Sequence, residues 1–170
     1  TLGRDPRIGS GAGLDMSSGM LRYAAQKLTS AGYAERFPLV LGDAGCLGIQ
    51  SCQFDVVTIS FGIRNVSRFE EALREMHRVL KPGGHALIME FSIPANPCFR
   101  PLYLFYLRHI LPRLGGLLSG DPYAYRYLNQ TIETFPYGGA FCEIMKKTGF
   151  SQVESHPLTF GIATLYAGRK

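Results

Sequence analysis

The residues with the clearest potential for chemistry lie at the end of the stretch FDVVTISFGIRN, residues 54–65. Arg64 and Asn65 follow Gly62, where a guanidinium can stabilise a developing oxyanion and an amide can orient a substrate oxygen. A structural ion pair with a helix carboxylate is the alternative for Arg64. The β-branched and apolar run before Gly62 predicts a strand buried on both faces. Ligands of open α/β sheets sit beyond the carboxyl ends of the strands, so residues 60–65 are the first candidates for a functional site.

Three predicted strands end in a polar residue at the same edge of the sheet, namely Asp15, Asp43 and Ser60. A carboxylate after the second strand of a nucleotide-binding sheet commonly accepts both ribose hydroxyls. Asp43 with the small Ala44 suits an adenine edge, because the carboxylate can accept from the exocyclic amine while a backbone N–H reaches a ring nitrogen. The alternative is that these acids only cap helices. Glu90 ends the next strand and would face the same crevice, unless it is a buried, hydrogen-bonded acid.

The elements that must position these residues alternate between strands and helices. Helical spacing of apolar residues predicts helices that follow Ser17 and that cover residues 68–80 and 139–148. Apolar runs predict strands at residues 13–16, 38–41, 54–61, 85–91, 152–158 and 162–167. This order is typical of an α/β doubly wound sheet. The glycine-rich residues 9–12 precede a strand instead of following one, so they predict a turn and not a phosphate loop.

Residues 92–136 interrupt this alternation with a dense set of prolines and aromatic residues. Phe99 to Leu118 predicts one or two apolar helices interrupted by Pro112 and by Gly115-Gly116, and residues 125–134 predict another helix. A segment of this length indicates a functional cover over the site, one that would suit a flat ring and an apolar chain, with ordinary core as the alternative. His109 within it is a candidate proton-handling group, although a lone His on an apolar stretch is usually core.

The composition of the 170-residue chain, with 46% hydrophobic and 18% charged residues, is that of a single soluble globular domain. The net charge of +5 comes from scattered basic residues. This pattern argues against nucleic acid binding and fits better a basic face near an anionic membrane.

The four cysteines lack zinc-type spacing and predict free thiols in a reducing compartment. No segment is long and apolar enough to span a membrane. The first residues lack the apolar core of a signal peptide, and we expect an upstream segment to be missing.

Several of these motifs together closely resemble the UbiE/MenG/Coq5 family of quinone-biosynthesis C-methyltransferases. They are FDVVTISFGIRN, ALREMHRVLKPGG, ALIMEFSIP, SGDPYAYRYLNQTIETFP and the closing GIATLYAGRK. The resemblance runs from about Gly13 to Lys170. It implies a Rossmann-like class I methyltransferase sheet with an antiparallel last strand, lacking its first strand here, and the helical insertion near residues 92–136. It also implies S-adenosylmethionine as the methyl donor, with no metal.

The acceptor implied by the resemblance is a ring carbon of a polyprenylated quinol, either demethylmenaquinol or 2-methoxy-6-polyprenyl-1,4-benzoquinol. In the same way, Asp15 is expected to bind the ribose, Asp43 and Ala44 the adenine side, and Ser60 the wall of the cofactor pocket. Arg64 and Asn65 are expected to face the quinol. Tyr103, Tyr125 and Tyr127 are expected to help form the ring and tail pocket. Glu90 and His109, candidates from the residues themselves, complete the expected substrate pocket.

The sequence also departs from the family pattern. In the family, the first strand and the glycine-rich loop that holds the methionine part of the cofactor would precede Gly13, and this sequence lacks them. Cofactor binding by this chain is therefore the expectation that most needs a direct measurement. Tyr103-Leu104 stands where the family usually has Tyr-Asp, Thr131 to Glu133 replaces Ser-Ile-Arg, and Tyr166 stands where a His is common.

Mechanistically, we expect the quinol to lose a hydroxyl proton and attack the methyl group through a ring carbon, with Arg64 stabilising the phenolate. Glu90, His109 or a water would accept a proton. A methyltransferase acting on another small molecule and a non-catalytic scaffold of a quinone-synthesis assembly remain alternatives. A peripheral membrane or complex association and a homodimer are further expectations. The location would be the cytoplasm or inner membrane surface of a bacterium, or the matrix side of the mitochondrial inner membrane.

Overall fold

The computed structural model describes residues 5–119 and 122–170. Within them the chain alternates short strands and helices before it enters a helical layer, and it closes with a hairpin. The strands are β1 Gly13–Asp15, β2 Leu39–Leu41, β3 Phe54–Ser60, β4 Leu80–Phe91, β5 Ser151–Leu158 and β6 Ala163–Arg169. The helices are α1 Ser18–Ser30, α2 Phe69–Val79, α3 Phe99–Phe105, α4 Leu111–Ser119, α5 Pro122–Thr134 and α6 Gly139–Lys147. This order confirms the predicted α/β class.

The described strands form two sheets. β1 and β2 pair in parallel, and the second sheet has the order β3-β4-β6-β5. β3 and β4 are parallel, whereas β6 runs antiparallel to both β4 and β5. The antiparallel last strand is therefore confirmed. The register pairs Ser60 with Met89, so that Glu90 lies one residue beyond the end of β3.

The prediction that β3 is buried on both faces is wrong. Val57 and Ile59 pack against the main core, whereas Val56, Thr58 and Ser60 are exposed. β3 is an edge strand covered on one face. The polar Thr58 and Ser60 alternate with Val57 and Ile59, as expected of one-sided burial, and the exposed Val56 obscures this alternation in the sequence. The predicted turn at residues 9–12 is also wrong. Those residues run alongside the chain before β2, to which the Gly11 N–H donates at 3.0 Å.

The core beneath the sheet is built on α2, as its spacing predicts. Ala72, Leu73, Met76 and Val79 are buried, and Leu73 and Met76 pack with Ile88 of β4 and others. Burying such side chains stabilises the fold by about 1.5–3 kcal/mol each. β4 begins at Leu80 and not at the predicted residue 85.

The helical layer is more continuous than the sequence predicts. α3 passes into a π-helical turn at Tyr106–Ile110 and then into α4, with no break at Pro112 or Gly115. Proline removes one N–H and crowds the carbonyl four residues earlier, which a wider turn accommodates. Gly115 is needed for packing, because a Cβ there would lie 2.5 Å from the Tyr125 ring.

This layer has a small core of its own. Ile93, Tyr103, Leu107 and Ile132 are buried together, and an ion pair between Arg108 and Glu133 joins the π-helical turn to α5. Within the described ranges, no helix has the length and apolarity to cross a membrane.

Candidate active site

The end of β3 is tied to the end of β4 by a buried ion pair. The chain turns at Phe61, which has a φ of 55°, and then forms a short 3-10 turn at Ile63–Asn65. The Arg64 Nη1 atom lies 2.7 Å from Oε1 of Glu90, with side-chain exposures of 9% and 1%. The geometry matches the alternative of a structural ion pair, although the partner belongs to a strand instead of a helix.

The Glu90 carboxylate is surrounded by donors. Besides the guanidinium, it accepts from the backbone N–H of Phe91 at 2.8 Å and from that of Arg64 at 3.3 Å. The carboxylate therefore faces Arg64 and the strand end, as in the alternative of a buried, hydrogen-bonded acid. Its contact with a substrate stays a prediction.

The Arg64 guanidinium is held on several sides. Nη1 also donates to the Phe61 carbonyl at 2.6 Å, and the group lies over the Phe91 ring at 5.2 Å. The Phe61 and Phe91 rings are themselves 4.5 Å apart. The Nε atom is buried and has no hydrogen-bond partner among the described residues. An unpaired buried donor costs about 1–3 kcal/mol.

Asn65 connects this strand end to the helical layer. Its Oδ1 atom accepts from the Tyr127 hydroxyl of α5 at 3.3 Å. Two residues that are 62 positions apart in the chain therefore meet at the candidate site, beside Arg64. This contact brings together two of the predicted site residues.

Asp15, Asp43 and Ala44 form a second group at the end of the two-stranded sheet. The Gly42 N–H donates to the Asp15 carbonyl at 3.1 Å, so the two strand ends are neighbours. Asp15 Oδ1 accepts from the Ser17 N–H at 2.8 Å, and Asp43 Oδ1 accepts from the Gly45 N–H at 2.8 Å. Both acids thus cap local turns through one oxygen. Within the described residues the second oxygen of each carboxylate makes no hydrogen bond, which suits acceptance from a ligand hydroxyl or amine.

The other predicted residues are spread over the helical layer. Tyr103 lies in its core, where burial raises the pKa of its hydroxyl to about 12, so this side chain stays protonated at neutral pH. Tyr125 is half-buried against Gly115. His109 is exposed, with its ring 5.0 Å from that of Phe105. Ser60 is exposed at the end of β3.

Sequence reasoning missed Phe61 and Phe91 as the aromatic support of Arg64. An aromatic residue at each of two adjacent strand ends was the available signal. Tyr166, noted only as a departure from a family pattern, is buried and its hydroxyl accepts from the Gly138 N–H at 2.7 Å. Burial raises the pKa of this hydroxyl.

Comparison with known proteins identifies relatives over nearly the whole chain. Residues 7–170 match the model of the ubiE/COQ5 methyltransferase family. The chain is 47% identical to the ubiquinone/menaquinone biosynthesis C-methyltransferase UbiE of Syntrophotalea carbinolica, over 92% of this chain and 65% of that protein. It is 42% identical to the mitochondrial 2-methoxy-6-polyprenyl-1,4-benzoquinol methylase of Pongo abelii, over 92% of this chain and 48% of that protein.

A solved structure shows the same fold. The crystal structure of a SAM dependent methyltransferase from Aquifex aeolicus matches with a TM-score of 0.63 and 14% identity, over 94% of this chain and 68% of that one. The chain spans 65% of the length of the Syntrophotalea relative and 48% of the mitochondrial one.

Proposed function

The chain belongs to the ubiE/COQ5 methyltransferase family, and on that premise we propose that it methylates a ring carbon of a polyprenylated quinol with S-adenosylmethionine as methyl donor. The acceptor is demethylmenaquinol or 2-methoxy-6-polyprenyl-1,4-benzoquinol. The observation that carries the proposal is the family match over residues 7–170. The names of the relatives, which include both kinds of quinone, support it.

The residues at the end of the two-stranded sheet fit the donor. The free oxygens of Asp15 and Asp43 are suited to the ribose hydroxyls and the adenine amine, and Ala44 and Ser60 would line the same pocket. S-adenosylmethionine, when bound, supplies an electrophilic methyl group.

The Arg64–Glu90 pair fits the acceptor. Loss of the quinol hydroxyl proton to His109 or water would push electron density to the neighbouring ring carbon, which becomes the nucleophile. A carbon–carbon bond would form to the methyl group as its bond to sulfur breaks, and the ring proton would then leave to water. Arg64 would stabilise the phenolate through the positive charge of its guanidinium, which pairs with Glu90 at the strand end. Glu90 would hold the guanidinium in place, and Asn65 with Tyr127 would orient the ring.

The test is methyl transfer from tritium-labelled S-adenosylmethionine to a short-tailed demethylmenaquinol under reducing conditions. We expect Arg64→Ala to lower kcat by about 100-fold or more, the range typical of lost oxyanion stabilisation. Arg74→Ala is the matched control, because that arginine is exposed on α2 in a loose ion pair. Near-normal turnover by Arg64→Ala would show that the assigned role is wrong.

Two alternatives are separated by calorimetry with S-adenosylmethionine. A methyltransferase acting on another small molecule would bind the donor and leave both quinols unchanged. A scaffold of a quinone-synthesis assembly would bind no donor, either as this chain or as a longer chain that includes residues encoded upstream. Association with such an assembly, a homodimer and a location at the inner membrane surface or mitochondrial matrix side belong to the same proposal.

A further inference from the structure

The outer face of the helical layer carries a continuous row of exposed apolar side chains. We call it the apolar stripe, and it consists of Leu102, Phe105, Tyr106, Ile110, Leu114 and Leu117. Leu117 is 83% exposed. The opposite face of the same helices is buried through Tyr103 and Leu107. The stripe is therefore not used in packing among the described residues, and such patches mark interaction surfaces.

The π-helical turn keeps the stripe straight. Four residues of an α-helix turn through about 400°, so side chains spaced by four drift about 40° per step around the axis. From Leu102 to Leu114 the drift would reach about 120° and would carry the row around the helix. The wider turn at Tyr106–Ile110, where the Leu111 N–H bonds to the Tyr106 carbonyl, unwinds the helix and offsets this drift.

The hairpin tip between β5 and β6 adds a further apolar side chain beside the start of α3. Phe160 is 87% exposed and contacts Phe99 at a ring distance of 6.0 Å. Its φ of 57° is unfavourable for a residue with a side chain. A large ring is thus held outward in a strained turn next to the stripe.

The charge of this segment selects the kind of partner. Residues 91–120 contain three arginines and no Asp or Glu. Arg108 is neutralised by Glu133. Arg113, next to Leu114, donates to the His109 carbonyl and forms no ion pair with any residue that the structure describes. An apolar row bordered by cations and free of acids is complementary to an anionic bilayer surface, where apolar side chains reach the acyl boundary and cations meet headgroups.

We propose that the apolar stripe and Phe160 dock this protein on an anionic lipid surface. This rests on the proposed function in one respect: a polyprenylated quinol resides in the bilayer. The helical layer that would meet the lipid also carries Tyr127, which bonds to Asn65 at the candidate site. Docking through this layer gives a bilayer-held quinol a short path to Arg64.

Cosedimentation with vesicles tests this surface directly. We expect the wild-type protein to bind vesicles of phosphatidylcholine and phosphatidylglycerol in equal parts, and to bind pure phosphatidylcholine at least about tenfold more weakly. Replacing Leu102, Leu114 and Leu117 together by Gln should weaken binding about tenfold or more while preserving helix propensity. Phe160→Asn should also weaken it, in a residue type that tolerates positive φ.

Two further variants make the result specific. Met20→Gln with Tyr23→Gln removes exposed apolar side chains from α1, away from the stripe, and should leave vesicle binding unchanged. Arg113→Gln should weaken binding to the anionic vesicles by about fivefold and reduce its dependence on salt. Because Arg113→Gln changes one exposed side chain, it still tests the proposal if circular dichroism shows that the triple variant is unfolded.

Three outcomes would overturn the proposal. They are wild-type binding to neither vesicle, unchanged binding by a folded stripe variant, and a wild-type dimer by light scattering that the stripe variant loses while vesicle binding persists. Vesicle binding requires no turnover. A protein that binds vesicles but transfers no methyl group therefore contradicts only the proposed function, and one that methylates a short-tailed quinol without binding vesicles contradicts only the docking surface.

Discussion

Replacing Glu90 by Gln removes one charge of the buried pair while keeping the size of the side chain. At 2.7 Å and an effective dielectric constant of about 20, the attraction between the two charges is about 6 kcal/mol. The Gln carbonyl can still accept hydrogen bonds, whereas Arg64 stays buried without its counter-charge. Breaking a buried pair from one side costs about 3–5 kcal/mol. We therefore expect the free energy of unfolding to fall by about 3 kcal/mol.

A double-mutant cycle in urea unfolding separates this pair from general disruption. It compares the wild type with Arg64→Gln, Glu90→Gln and the double variant. We expect a coupling energy of about 2–3 kcal/mol, since each single variant leaves one buried charge and the double variant leaves none. Glu71→Gln is the matched control from the exposed pair with Arg68, where we expect a loss of no more than about 1 kcal/mol.

Function gives a second readout of the same variant. If Glu90 positions Arg64, Glu90→Gln should lower kcat for methyl transfer at a temperature where the variant is fully folded, with little change in donor affinity. A coupling energy below about 0.5 kcal/mol would mean that the two side chains act independently. Normal kcat in a folded Glu90→Gln variant would refute the positioning role even if the stability effect were found.

Further predictions concern the rest of the fold. Gly84→Ala should destabilise the protein by about 1–3 kcal/mol in urea unfolding, because the added Cβ would lie 2.9 Å from two backbone carbonyl oxygens. Gly139→Ala, with open space around it on α6, should be neutral or stabilising by up to about 1 kcal/mol. Tyr166→Phe should cost about 1–3 kcal/mol in the same assay by leaving the Gly138 N–H unpaired. Burial and the Lys170 charge lower the pKa of His77, so the unfolded chain binds more protons and stability should fall as the pH drops below 6.5. This slope should diminish in thermal unfolding of His77→Gln.

The local parts of the fold could be predicted from the sequence. The apolar spacing of α2 defined its buried face, because side chains three and four residues apart share one side of a helix. The sequence offers Ser17 or Ser18 as a cap for the first helix, and the Ser17 hydroxyl accepts from the Met20 N–H at 3.3 Å. Gly149 directly follows the predicted helix over 139–148, where a glycine favours a helix end, and it has a φ of 111°. Each of these sequence signals lies within a few residues of the structural feature that it predicts.

The non-local parts could not be predicted in the same way. The partner of Arg64 depends on the register of β3 and β4, which sets Glu90 beside the turn across 26 positions of chain. The one-sided burial of β3 depends on which faces the helices cover. The requirement for a glycine at position 115 of α4 depends on the Tyr125 ring, which approaches from another helix. No local sequence pattern predicts these contacts. Residue types therefore identified candidate site residues, but not the residues that they contact in the fold.

The most direct test of the central claim is the fate of a labelled methyl group. The protein would be incubated with S-adenosylmethionine carrying a trideuterated methyl group and with each reduced short-tailed quinol, and the products analysed by mass spectrometry. We predict that one trideuteromethyl group replaces a ring hydrogen in at least one of the two quinols. We also predict that Arg64→Ala greatly reduces this product. Unchanged quinols from a folded protein that binds the donor would contradict the claim.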